Sequence, residues 1–239
     1  MADGVADGVA DDVAGGLVFV HGFTQTPGSW TPVSERLATP TRSLTVPDGA
    51  DFVTVAHALD HGPATYVGYS QGGRLCLQLA LDRPDSATRL VLVSASPGIA
   101  DADERAARRV ADDRLAQEIT RDGVDAFLER WLAQPLFATL PRERSGIDER
   151  RAANSVQSLT AQLRVLGQGA QPSNWERLGE LRMPVLLIVG DLDAKYVDIA
   201  HRMAEQIADA RVEVLEGAGH ACHLEQPERV AHLLASFTS

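Results

Sequence analysis

Lysine is almost missing from this sequence. Of its 22 basic residues only Lys195 is lysine and the other 21 are arginine, so a single arginine carries less meaning here than it would elsewhere. Cysteine is reduced to Cys76 and Cys222, too few for the disulfide framework of a small secreted domain. The longest apolar runs, Leu17 to Val20 and Val185 to Val189, are four or five residues, against the roughly 20 that cross a bilayer. No membrane segment is expected. The first residues carry neither a basic nor an apolar leader region, and a reducing cytoplasm is the expected compartment. The sequence contains no Cys-x-x-Cys, no His-Glu-x-x-His and no phosphate-binding loop, so no metal, nucleotide or other cofactor is expected. Acidic residues outnumber basic ones 33 to 22, and the net charge of −11 repels nucleic acid and anionic lipid. A monomer or weak homo-oligomer is expected.

What is present fits one large domain, or a core carrying an insertion: 239 residues, 44% hydrophobic and 23% charged. The opening MADGVADGVADDVAGG repeats Ala-Asp-Gly-Val with four aspartates and no base, so residues 1–16 are expected to form a disordered acidic tail. From Leu17 onward, short apolar runs at 17–20, 65–69, 90–95, 184–190 and 211–217 alternate with helical patterns at 29–38, 71–83, 198–208 and 226–237. This alternation predicts a mostly parallel sheet flanked by helices. The stretch 101–178 lacks a strand run and holds helical patterns from Asp103 to Arg121, Val124 to Trp131 and Asp148 to Leu166. The expected layout is a core of residues 17–98 and 179–239, with a helical lid at 99–178 inserted between two strands. A lid at the carboxyl ends of the strands would cover the place where open α/β sheets bind ligands.

Gly68-Tyr69-Ser70-Gln71-Gly72 lies between an apolar run and a helical pattern. Glycines two residues either side of a serine allow a tight strand-to-helix turn that projects the hydroxyl at the sheet's edge. A serine hydroxyl needs an imidazole to take its proton and a carboxylate to orient that imidazole. Asp193 follows the apolar run at 184–190, and His220 follows the run at 211–215 and two glycines. Asp191 competes for the acid's place and His223 for the base's. His21, His57, His61, His201 and His232 read as ordinary surface or half-buried histidines. His21-Gly22-Phe23 follows the first strand run, where the Phe23 backbone N–H, with that of Gln71, would form an oxyanion hole. Cys76 reads as a small core residue, and Cys222 has no base of its own.

The order serine, acid, histidine along the chain resembles that of the α/β-hydrolases, and the fold that this implies is the α/β-hydrolase fold. The resemblance is closer still. GYSQGGR at 68–74, RWLAQPLF at 130–137, GDLDAKY at 190–196 and GAGHACHLEQPERV at 217–230 look like the 2-succinyl-6-hydroxy-2,4-cyclohexadiene-1-carboxylate synthases of menaquinone biosynthesis. The likeness implies Asp193, three residues after Gly190, as the acid. It also implies a cofactor-free lyase that removes pyruvate from 2-succinyl-5-enolpyruvyl-6-hydroxy-3-cyclohexene-1-carboxylate.

That substrate is a small tricarboxylate, and an acidic protein holds such an anion only with clustered cations, for which the planar fork of arginine is suited. The resemblance assigns this work to Arg74, Arg108 and Arg151, with Tyr69 and Trp131 as further substrate contacts. Arg108 would equally pair with Asp112 along its own helix, and Lys195 is expected to be a structural residue in a loop. One departure from the family is the stretch at 46–51, VPDGAD, where relatives carry a longer Gly- and Ser-containing loop. The alternatives are a serine carboxylesterase or carbon–carbon hydrolase, and a non-catalytic binding protein on the same scaffold.

Overall fold

Six strands and nine α-helices, with short 3-10 turns between some of them, run along the part of the chain that the computed structural model describes, residues 15–239. In chain order they are β1 (Leu17–Val20), α1 (Thr31–Ser34), β2 (Thr41–Leu44), α2 (Phe52–Ala58), β3 (Ala64–Tyr69), α3 (Gln71–Asp82), β4 (Ala87–Val93) and α4 (Ala102–Leu132). Then come α5 (Ile147–Ala153), α6 (Val156–Leu166), β5 (Val185–Gly190), α7 (Ala194–Ala204), β6 (Ala210–Leu215), α8 (Cys222–Glu225) and α9 (Pro227–Thr238). Of the expected acidic tail, residues 1–14 lie outside the described residues. Gly16 already joins the sheet, its carbonyl accepting from the Thr65 N–H at 3.0 Å.

The six strands lie in the order β2-β1-β3-β4-β5-β6, and every neighbouring pair is parallel. Burial on both faces explains their continuous apolar runs. Val18 and Val20 of β1 pack with Val55, Leu75 and Met203 of the helices on one face. Leu17 and Phe19 pack with Val33, Val230 and Leu234 on the other. β2 has no apolar run and so gives no signal in the sequence: it is an edge strand, TRSL, in which only Leu44 is buried. α2 is a further addition to the expected elements; Asp51 caps it, accepting the Thr54 N–H at 2.8 Å.

β4 and β5 pair directly, from Leu90 opposite Val185 to Val93 opposite Ile188, so everything between them is an excursion from the sheet. That excursion is helical. α4 is broken at Gly123, whose φ of 80° and ψ of 172° leave the helical region, and this is where the two sequence patterns separate. Ile119 and Leu128 of α4 bury against Leu159 and Leu163 of α6, giving the insertion its own small core. Among the described residues no helix is long and apolar enough to cross a membrane.

Strand order reverses between β1 and β3: the chain leaves β1 for β2 on one side and returns to β3 on the other. A crevice opens at such a switch point outside the carboxyl ends of the strands. The loops after β1, β3, β5 and β6 carry Phe23, Ser70, Asp193 and His220, respectively.

Candidate active site

Ser70 ends β3 with φ 48° and ψ −107°, a conformation that L-residues with a Cβ rarely adopt and that is held only where the surroundings enforce it. The enforcement is visible. A Cβ on Gly68 would come within 2.5 Å of the Gly73 backbone, and one on Gly72 would run into the Val20 carbonyl. Only glycine lets helix α3 press this closely onto the sheet. The Ser70 Oγ is 3.2 Å from His220 Nε2. His220 Nδ1 is 2.6 Å from Asp193 Oδ2, and both partners of that pair are buried. Asp191 is engaged elsewhere, accepting the Gly217 N–H at 2.8 Å. His223 is fully buried and faces Gln25, 3.4 Å away. Burial, with Arg150 as a lesser contributor, holds the pKa of His223 well below its ordinary value, so it is a neutral packing group against the Tyr69 ring.

The Gln71 N–H is the first of helix α3 and has no intrahelical acceptor. Phe23 lies in the loop after β1, which His21 fixes. The His21 Nδ1–H donates to the Gly22 carbonyl at 2.9 Å, and its Nε2 accepts the Val46 N–H at 3.3 Å. Desolvation lowers the pKa of His21 to about 4, which keeps the neutral tautomer that both bonds require. The histidine read as ordinary thus ties the Phe23 loop to the short segment after β2.

A cavity of about 610 Å³ opens over Ser70 and His220, with Phe23, Tyr69 and Gln71 in the core wall and Trp131 in the wall from the insertion. Two smaller cavities, of about 370 and 350 Å³, lie away from the triad. Arg74 lines the large cavity one helical turn after Ser70 and is buried. It donates to the Leu166 carbonyl at 2.8 Å and to Gln171 Oε1 at 3.2 Å. Burial lowers its pKa to about 10, leaving it cationic at neutral pH. Arg108 lines the cavity as well and makes the expected pairing along its helix, its Nε donating to Asp112 Oδ1 at 2.7 Å.

Arg151 is placed differently from the expectation. It is absent from the cavity wall and meets Glu129, Asp148 and Asp125 at 2.5, 2.8 and 3.5 Å. Its neighbour Arg150 lines the cavity, is buried, and donates to the Ser145 carbonyl at 2.7 Å and to Thr24 Oγ1. Desolvation lowers the Arg150 pKa to about 10. Lys195 is also displaced from its expected place, since α7 begins four residues before the pattern suggested. It sits in the first turn of that helix and lines the cavity.

The model of the family described as Alpha/beta hydrolase family matches residues 17–233. The chain belongs to the α/β-hydrolase family. Among its relatives is the 2-succinyl-6-hydroxy-2,4-cyclohexadiene-1-carboxylate synthase of Salmonella schwarzengrund (strain CVM19633), 31% identical over 92% of this chain and 92% of that protein. A Bacillus subtilis (strain 168) protein provisionally given the same name is 32% identical over 92% of this chain and 89% of its own. Among solved structures, MenH from S. aureus superposes with a TM-score of 0.88 at 28% identity, covering 93% of this chain and 92% of that one. A thermophilic esterase from Thermogutta terrifontis shares the fold, with a TM-score of 0.74 at 23% identity over 94% and 90% of the two chains.

Arg74, Arg108, Arg114 and Arg150 line the cavity over the serine, and the sequence pointed to the neighbour of one of them, Arg151. Ile147 is buried at the start of α5, so positions three and four residues on both border its inward face. The choice between Arg150 and Arg151 is made by three carboxylates gathered outside the cavity, two of them on α4, which no local pattern reveals. Gln168 and Gln171, which hold Arg108 and Arg74, carried no signal in the sequence.

Proposed function

We propose that this α/β-hydrolase is the lyase that eliminates pyruvate from 2-succinyl-5-enolpyruvyl-6-hydroxy-3-cyclohexene-1-carboxylate, giving 2-succinyl-6-hydroxy-2,4-cyclohexadiene-1-carboxylate in menaquinone biosynthesis. The observation that carries the reading is a cluster of four guanidinium groups, Arg74, Arg108, Arg114 and Arg150, in the wall of the cavity over the triad. A neutral ester needs no such cluster, whereas a tricarboxylate needs several cations in one place. The names of the relatives at 31 and 32% identity support it.

In this mechanism Ser70, His220 and Asp193 act as one base. Ser70 Oγ takes a proton from a ring carbon as its own proton passes to His220 Nε2, and Asp193 stabilises the resulting imidazolium. Negative charge develops on the succinyl carbonyl oxygen, where the Phe23 and Gln71 N–H groups would receive it. The electron pair then returns through the ring, the bond from ring carbon to the enolpyruvyl oxygen breaks, and the His220 imidazolium gives its proton to the departing oxygen, so that pyruvate leaves as its enol and the triad is restored. No acyl-enzyme forms and no cofactor takes part. Tyr69 and Trp131 close the walls around the ring, and the insertion acts as the lid. Arg150 takes the place expected for Arg151. We place the reaction in the cytoplasm, with a small anionic molecule as the protein's partner and a monomer or weak homo-oligomer as its state.

The test is to supply the purified protein with the enolpyruvyl compound and follow pyruvate by a coupled lactate dehydrogenase assay. Release that depends on Ser70 is the expected result. Hydrolysis of simple esters with no pyruvate released would transfer the assignment to a carboxylesterase.

A further inference from the structure

Tyr196 is buried in the first turn of α7 and lines the large cavity beside Arg74, Arg108 and Gln168. Its ring lies 4.6 Å from that of His220, which accounts for an aromatic at this position but not for the hydroxyl. The hydrogen bonds of Gln168 determine what the hydroxyl does. Arg108 Nη1 is 2.8 Å from the oxygen of the Gln168 carboxamide, and the carboxamide nitrogen is 3.1 Å from the Tyr196 hydroxyl. Arginine is only a donor. The carboxamide must therefore turn its oxygen to Arg108, its NH₂ must face the tyrosine, and the phenol oxygen accepts. Among the described residues Gln168 is the hydroxyl's only hydrogen-bond partner, so the phenol's own proton has no acceptor within the protein. Burial raises the phenol's pKa above its ordinary value, which keeps that proton in place across the neutral range.

We infer that Tyr196 is a further substrate-binding residue, its O–H donating to the carboxylate that Arg74 and Arg108 hold, and that Gln168 is the positioning residue that aims it. The inference deepens the lyase reading and rests on it, since it needs a carboxylate bound in this corner of the cavity. A hydroxyl donating to an anion in a partly desolvated site adds both affinity and direction. It is also neutral, so it adds no charge to a part of the cavity that already holds Arg74, Arg108 and Lys195.

The experiment is steady-state kinetics of pyruvate release by wild type, Tyr196→Phe, Gln168→Met and the double variant, with thermal melts to confirm folding. Tyr196→Phe keeps the ring against His220 and removes only the donor. KM should rise about tenfold or more while kcat and its pH profile stay unchanged, as for a contact made equally in ground and transition states. Gln168→Met should raise KM in wild type and raise it less in the Tyr196→Phe background, because the two act through one hydrogen bond. KM of Tyr196→Phe within about twofold of wild type would overturn the substrate contact. A fall in kcat with a displaced pH profile would also overturn it, placing the tyrosine's effect on His220 instead. Fully additive effects of the two substitutions would remove Gln168 from its aiming role. A wild-type protein that releases no pyruvate would defeat the lyase reading and this inference together, an outcome distinct from the others.

Discussion

Arg74 and Leu166 are joined by a 2.8 Å hydrogen bond from a guanidinium Nη2 to a backbone carbonyl, so the cation one turn after the reactive serine is held by the end of α6. Gln171 takes another of its donors, and among the described residues no carboxylate stands within ion-pair distance of it. Its charge is therefore left for a ligand.

Removing that charge, or that of Arg108 or Arg150, should lower kcat/KM for pyruvate release by about 2–5 kcal/mol, because one carboxylate of the substrate is left unpaired in a desolvated site. The equivalent is a loss of roughly tens to thousands-fold. Arg74→Lys should restore part of the loss, since an ammonium lacks the fork. Arg151→Ala and the surface variant Arg211→Ala should stay within about threefold of wild type. Kinetics on the five alanine variants decide this, and equal values for Arg150→Ala and Arg211→Ala would remove the substrate role from the cavity arginine.

Ser70→Ala, Asp193→Asn and His220→Ala should each reduce kcat by about a thousandfold or more, with the triple variant little worse than the singles, because the three move one proton. His223→Gln should change stability more than kcat. Single-turnover pyruvate release reports the chemistry without interference from product loss. A His223 variant losing turnover while the His220 variant kept it would reassign the base.

Hydrolysis of p-nitrophenyl acetate and butyrate should be slower than pyruvate release at matched concentrations, since the arginines set among the apolar groups of the wall favour an anionic substrate over a neutral one. Parallel assays on one preparation measure the ratio, and a ratio favouring the esters would favour the hydrolase reading.

Stability should fall on acidification because of His21 and His223, both of which burial keeps neutral in the folded chain; the His21 share follows from its pKa. That pKa is lowered by burial from 6.5 to about 4, so below pH 6.5 the unfolded chain takes up a proton that the folded chain refuses until about pH 4. The contribution is fully present above 6.5 and is lost progressively as the pH drops to about 4, amounting to about 3 kcal/mol. Urea unfolding at pH 7.5 and pH 5 should show the difference, and His21→Asn should reduce it, leaving the part that comes from His223. An unchanged slope in that variant would rule His21 out as a source.

Much of the fold and the triad is legible in the sequence because the strands of a doubly covered parallel sheet are apolar throughout, and because the turn around Ser70 requires glycines at fixed offsets. Even the interruption of α4 shows, since Gly123 separates two apolar patterns. The edge strand β2 is hidden by its exposure, and the start of α7 by a first turn that lacks the apolar spacing of the helix's later turns. Arg150 and Gln168 are hidden for another reason: their partners lie far along the chain, Thr24 at one end and Tyr196 at the other. Long-range pairing leaves no periodicity.

β4 and β5 are bonded neighbours even though the whole helical excursion separates them in sequence. The sheet therefore closes by itself, and the proton-transfer machinery of Ser70, Asp193 and His220 depends on strands that the excursion only interrupts. Three of the four cavity arginines and Gln168 are carried by the excursion. Most of the cavity's arginines thus lie in a stretch separable from the triad, while Arg74 and Tyr196 stay with the core. Replacing that stretch alters what is held over the serine without rebuilding the serine's own surroundings, a modularity by which one scaffold can acquire a new substrate through a single graft between adjacent strands.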